Sequence, residues 1–222
     1  MNLTKHTEFF DPLNEINQDI HIIGCGAIGS ILAMMLTRTG IPELNLYDFD
    51  TITAHNIANQ NFTSLNIGQP KTEALTAYLK AINPEIKLIT YDKGYTQQPL
   101  SGYVFLCVDN IELRKEITTK QQHNPYIKAI FDFRMRLTDA QHYAADWDKP
   151  EQKEGFIQSM QFSSEEAKEA TPVNACGSTL SINPTVYGIV ALGVANFINF
   201  IKTTELKTMI LHDPFHQITD AF

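Results

Sequence analysis

Gly24-Cys25-Gly26-Ala27-Ile28-Gly29 lies between a short apolar run, Asp19 to Ile23, and a stretch with few polar residues, Ala27 to Thr39. In such a strand–loop–helix context the first glycine permits a tight turn. The second lets an anion approach the backbone, and the third lets helix pack on strand. The helix start then offers free N–H groups and the positive end of a dipole. Asp48 follows about 20 residues on, where an acid that binds ribose hydroxyls is expected. These residues imply a bound nucleotide, and they do not by themselves separate NAD from ATP.

A second set of polar groups is not needed by a dinucleotide site. Asp50, His55, Asn56 and Gln60 follow Asp48 closely, then Gly68-Gln69-Pro70-Lys71, then Cys107-Val108-Asp109-Asn110 with Arg114 beyond. Lys71 and Asp109 carry opposite charges and both open helices that follow strands. Lys71 can neutralise phosphate charge. Asp109, at the carboxyl end of an apolar run, can hold Mg²⁺, which takes carboxylate together with phosphate oxygens.

The elements that must position these groups alternate in type. Strands are expected over Asp19 to Ile23, Leu44 to Tyr47, Ile86 to Tyr91, Tyr103 to Val108, Tyr126 to Phe131, Leu137 to Ala145 and Met209 to Leu211. Helices are expected over Ala27 to Thr39, Pro70 to Ile82, Asn110 to Gln121 and Pro184 to Lys202. Thr51 to Gln69 reads as irregular. The alternation predicts an α/β fold, Rossmann-like, with a mostly parallel mixed sheet and helices on both faces. The 222 residues suit a single domain. Residues 146–175, rich in Lys, Glu, Gln and Ser, read as a mobile loop or lid.

Composition narrows the class. A formal charge of −8 argues against a nucleic-acid partner, because no basic excess is available to neutralise a phosphate backbone. The three cysteines, Cys25, Cys107 and Cys176, form no CxxC pair, so no zinc site is expected. The amino terminus has no signal-peptide pattern, and a cytoplasmic location is expected. Thr185 to Ile201 is apolar, but with Asn196, Asn199 and two glycines it reads as a buried core helix and not a membrane span.

From about Ile20 to Arg114 these blocks resemble the E1-like superfamily, the ThiF, MoeB and HesA group of adenylyltransferases that activate ubiquitin-like and sulfur-carrier proteins. The matching motifs are DxDxV…N-L-x-R-Q, G-x-P-K and a strand ending in D-N-x-x-x-R. A second match covers Asn174 to Lys202, including Ala175-Cys176-Gly177. The resemblance implies an eight-stranded mixed sheet in a homodimer, and adenylation of a partner's C-terminal carboxylate with ATP and Mg²⁺. It assigns Gly24, Gly26, Ala27, Ile28 and Gly29 to the nucleotide, Asp48 to the ribose, and Asp50, Asn56, Gln60 and Asn110 to the pocket. Lys71 goes to the phosphates and Asp109 to Mg²⁺ and ATP.

The chain departs from that pattern at Asn59, where the family has an arginine. A neutral amide cannot replace a guanidinium on phosphate. Arg38, Arg114, Arg134 and Arg136 are the only arginines. Arg134, placed just after an expected strand, is the candidate catalytic replacement, with structural ion pairing as its alternative. Cys176 is the cysteine placed for a thioester, against an inert, buried role. Two rival readings stay open: a non-catalytic relative that binds nucleotide or partner, and an NAD-dependent oxidoreductase.

Overall fold

The structure is a computed structural model and describes residues 1–162, 165–166 and 181–222. Its eight strands form one sheet in the order β3-β2-β1-β4-β5-β6-β7-β8. The strands are β1 Ile20–Ile23, β2 Glu43–Tyr47, β3 Lys87–Tyr91, β4 Gly102–Leu106, β5 Ile127–Met135, β6 Ala140–Asp146, β7 Met209–Asp213 and β8 Ile218–Ala221. Neighbours from β3 to β5 are parallel. Those from β5 to β8 are antiparallel. The expected mixed sheet is present.

Six α-helices occur among the described residues: α1 Pro12–Glu15, α2 Ala27–Arg38, α3 Lys71–Ile82, α4 Ile111–Lys120, α5 Pro150–Gln158 and α6 Asn183–Thr203. Side chains alternate across each strand, so the sheet divides the core in two. Ile20, Ile22, Phe105 and Phe131 pack with Leu32 of α2, Leu75 of α3 and Phe197 of α6. Ile23, Val104 and Ile130 pack with Ile117 of α4 and Phe156 of α5. Helices therefore cover both faces, as the alternation implied.

Helix α6 is long and apolar enough, by length and composition, to cross a membrane. It buries Val186, Ile189, Val190, Gly193, Val194 and Phe197, and packs on α2, β5, β6 and β7. It is a core helix here.

Two expectations change. β5 continues to Met135, so Arg134 lies inside a strand and not after it. Residues 150–158, expected within a loop or lid, form α5, whose Phe156 joins Trp147 in the core. The remainder of that stretch, and Cys176, lie mostly or wholly outside the described residues. The edge strand β8 and the short α1 have no counterpart in the sequence reading.

Candidate nucleotide site at the sheet's switch point

β2 lies on one side of β1 and β4 on the other, so the chain reverses its direction of travel across the sheet between them. Ligands of open α/β sheets sit outside the carboxyl ends of strands at such a point. The backbone ties these ends together: Gly24 N–H donates to the Tyr47 carbonyl at 2.8 Å, and Cys107 N–H to the Ile23 carbonyl at 2.8 Å. The glycine loop, Asp48 and Cys107 to Asp109 are thereby gathered at one edge.

The glycines divide the work. Gly24 has φ +98° and lies against the backbone of Cys107 and Val108, where an added Cβ would come within 2.8 Å. A Cβ on Gly29 would fall 1.8 Å from the Gly24 carbonyl oxygen. Both positions exclude any side chain. Gly26 differs: a Cβ there would meet nothing nearer than Gln60 Nε2, at 3.9 Å. Gly26 also caps α2, with no side chain satisfying the helix start. Uncapped N–H groups beside open space are what an anion needs.

Asp48 closes the loop from the other side. Its Oδ2 accepts the Cys25 N–H at 2.7 Å and its Oδ1 the Asp50 N–H at 2.8 Å. Burial raises its carboxyl above the usual range, and the Lys71 charge and these two N–H bonds oppose that shift. The Cys25 N–H is consequently spent on Asp48. Burial pushes the thiols of Cys25 and Cys107 upward, so both stay protonated and serve as packing groups.

Lys71 opens α3, brought back to the site by the Thr51–Pro70 bridge and by its own N–H on the Asp50 carbonyl at 3.0 Å. Its side chain is only 7% exposed, and Nζ bonds Asp50 Oδ2 at 2.7 Å. Asp50 itself is 50% exposed. Lys71 thus meets a carboxylate from its own chain, and its charge also acts on Asp48.

Asn56 Oδ1 accepts from the N–H and hydroxyl of Thr53, both at 2.8 Å, as a capping box on the short 3₁₀ helix Ala54–Ala58. Gln60 Oε1 and Asn61 Nδ2 are buried and have no hydrogen-bond partner among the described residues. Gln60 lies beside Gly26, and an orphaned polar atom there suits a polar ligand or water. Asn110 caps α4 through Oδ1 and the Leu113 N–H at 3.0 Å. Asp109 is exposed and unpaired among the described residues. No group of three or more possible metal-ligating side chains occurs there. One free carboxylate still suits Mg²⁺, which takes its other ligands from phosphates and water. His55 is exposed and, among the described residues, its ring bonds Thr53.

Arg134 requires a correction. Asp132 and Arg134 lie two apart in one strand and so share a face. Arg134 Nε bonds Asp132 Oδ2 at 2.6 Å, and its other nitrogens bond the Ser159 carbonyl and hydroxyl at 2.7 and 2.9 Å. Its guanidinium also stacks over Tyr143, 4.1 Å from the ring centroid. Arg114 takes the other oxygen of Asp132 at 2.6 Å. Arg134 therefore joins α5 to the sheet and is not a free phosphate-binding cation. Arg136 is exposed, with a loose 3.9 Å pair to Asp139.

Two clefts, lined by Asn17, Asp19 and Glu43 and by Tyr103, Lys128 and Asp148, lie at the opposite ends of the parallel strands. Neither contains a residue of the glycine loop, so chemistry rather than concavity marks the site.

The ThiF family model matches residues 13–219. The chain belongs to the ThiF family. Among curated proteins, it is 33% identical over 120 residues to ubiquitin-like modifier-activating enzyme 5 of Aedes aegypti, covering 46% of this chain and 30% of that protein. The same-named protein of Oryza sativa subsp. japonica is 42% identical over 77 residues, 35% of this chain and 18% of that one. Among solved structures, E. coli MccB with MccA-N7isoASN matches with TM-score 0.73 and 17% identity, over 94% of this chain and 65% of MccB. PaaA matches with TM-score 0.70 and 14% identity, over 93% and 64%. The fold is therefore shared. This ThiF-family chain spans less than a third of the curated relatives named here and about two thirds of these solved neighbours.

The motifs of the sequence do not point to Ser30, Asn61, Ser181 or Asn183, which the structure ties to the segment around Asn59 and Gln60. Asn61 N–H donates to Ser30 Oγ at 3.0 Å. Asn59 Nδ2 donates to Ser181 Oγ, and Asn183 Nδ2 to the Ala58 carbonyl at 2.9 Å. Pairs 31 to 125 residues apart leave no local signal.

Proposed function

We propose that this chain is an adenylyltransferase that uses ATP to activate the C-terminal carboxylate of a small ubiquitin-like or sulfur-carrier protein, or of a peptide. The observation that carries this reading is the convergence of the uncapped α2 start, Asp48, the Lys71–Asp50 pair and the unpaired Asp109 at one switch point. A dinucleotide site does not call for the last two. The relatives' names, which speak of activating ubiquitin-like modifiers, support it, as does the crystal structure of E. coli MccB with ATP, which shares the fold at TM-score 0.67.

In this reading the α2 start and Gly26 receive phosphate, and Asp48 receives the ribose hydroxyls. Asn56 and Gln60 line the pocket. Lys71, aimed by Asp50, offsets charge that builds on the phosphates. Asp109, with Asn110 beside it, would hold Mg²⁺, which supplies further charge neutralisation at the phosphates. An oxygen of the partner's carboxylate bonds the α-phosphorus. The bond from that phosphorus to the bridging oxygen breaks, and pyrophosphate leaves with the electron pair. Carboxylates are weak nucleophiles, so the protein's work is positioning and charge balance. A homodimer in the cytoplasm, without zinc, belongs to the same proposal.

Isotope exchange between pyrophosphate and ATP, driven by candidate glycine-ended tails, tests it. Exchange with any tail supports the enzyme. Clear ATP binding with no exchange favours a second reading, a non-catalytic relative. Two observations favour that alternative: Asn59 stands where the family has an arginine, and Arg134 is committed to Asp132 and Ser159.

A further inference from the structure

Segment 54–60 carries Asn56 and Gln60, yet almost nothing inside it explains why it holds its shape. The 3₁₀ helix Ala54–Ala58 has five residues, none buried. A single short turn of this kind does not persist in water without outside support. Its start is fixed by the Thr53–Asn56 capping box. Its end leaves the helical conformation at Asn59, with φ −139°.

That end is fastened to a rigid body elsewhere. Asn59 Nδ2 donates to Ser181 Oγ, and Asn183 Nδ2 donates to the Ala58 carbonyl at 2.9 Å. Asn183 is the first residue of α6, which is anchored in the core by Val186, Ile189 and Val190. One residue further on, Asn61 N–H holds Ser30 Oγ of α2. Gln60 therefore sits between attachments on two sides: to Ser181 and the start of α6 through Asn59 and Ala58, and to α2 through Asn61. It is Gln60 that lies beside Gly26 with a buried Oε1 that has no hydrogen-bond partner among the described residues.

We propose that Asn59 and Ser181 form a latch that holds Gln60 and its neighbours in register with the glycine loop, making Asn59 a positioning residue and not a phosphate contact. An N–H of the Asn59 amide goes to Ser181, and in this proposal its effect on the nucleotide passes through Gln60. This rests on the nucleotide reading given above. It adds a role for the position at which the family's arginine is absent, and it makes the start of α6 part of the pocket's support.

The test uses the full chain, a fluorescent ATP analogue for affinity and amide hydrogen exchange over residues 54–61. Ser181→Ala removes the latch without touching the pocket. It is expected to weaken binding about three- to tenfold, the effect of one neutral hydrogen bond, and to speed exchange in 54–61. Asn59→Ala should do the same, and the double variant should be no worse than either single one. Asn59→Asp can accept the Ser181 hydroxyl and so keeps the link while adding negative charge. It should bind within about twofold of the unmodified chain. Binding by Asn59→Asp weaker than by Asn59→Ala would mean that position 59 faces phosphate directly, and would overturn the latch. So would additive losses in the double variant, or a lowered melting temperature with unchanged ATP affinity. Failure of the unmodified chain to bind the analogue defeats the nucleotide reading itself. Binding that Ser181→Ala leaves unchanged, in affinity and in amide exchange, defeats only the latch.

Discussion

The five parallel strands and the antiparallel strands that follow them share a sheet but not an environment. β1 and β4 are buried along their whole length, with helices on both faces. β8 is exposed at every residue, and Phe215, Ile218 and Phe222 around it face solvent. The candidate site belongs to the first region. A loop that must hold an anion with backbone N–H groups needs a rigid frame, and rigidity comes from close packing on both sides. The antiparallel strands β7 and β8 meet no such demand and contribute no residue to the site.

This contrast can be broken or sharpened by substitution. Phe131, stacked on Phe105 at 4.7 Å and edge-on to Phe197, sits at the centre of the covered region. Phe131→Ala should cost about 3–5 kcal/mol in urea unfolding; a loss below about 1 kcal/mol would contradict the packing described.

Lys71→Ala should lower pyrophosphate exchange at least about a hundredfold, with a circular-dichroism spectrum and cooperative melting like those of the unmodified chain. Full exchange in this variant would remove Lys71 from the site.

Acid probes both sides of the sheet at once. Burial lowers His21 in β1 and His142 in β6 from 6.5 to about 4. The native protein then binds fewer protons than the unfolded chain below pH 6.5. Stability is complete above that pH and falls as pH drops toward 4, by on the order of 3 kcal/mol per histidine. Urea midpoints at pH 7, 5 and 4 measure the fall, and His142→Gln should remove one share of it. A midpoint independent of pH across this window would contradict the buried, neutral assignment.

Arg134→Ala should cost roughly 1–3 kcal/mol through lost charge-assisted bonds to Asp132 and Ser159, while nucleotide exchange by the folded protein persists. Loss of exchange with unchanged stability would restore Arg134 to a catalytic role. The smallest effect is expected at the edge, where Ile218→Ala should stay within about 0.5 kcal/mol; a larger loss would show that β8 is covered in solution.

Legibility followed the range of the interactions. The glycine loop, Asp48 and the parallel strands were readable because turn geometry and apolar runs are local properties. The sequence places the end of β5 four residues short because the charged Asp132, Arg134 and Arg136 interrupt the apolar run. Asp132 and Arg134 are strand residues that pair with each other, Asp132 also with Arg114 of α4 and Arg134 also with Ser159 at the end of α5. α5 was read as loop because its charged residues carry little periodic signal; Phe156 and the neighbouring Met160 anchor it through the core.

By itself, then, the sequence determined the mixed sheet, the helices on both its faces and the motif residues brought to its switch point. Backbone conformation and strand order dictate these once glycines and apolar runs are in place. Only the tertiary structure decided how the charges and amides are used. It turned Lys71 onto Asp50, spent Arg134 on Asp132, and gave Asn59 to Ser181. A side chain's role is set by the partner within hydrogen-bond reach, and for Asn59 the chain brings that partner from 122 residues away.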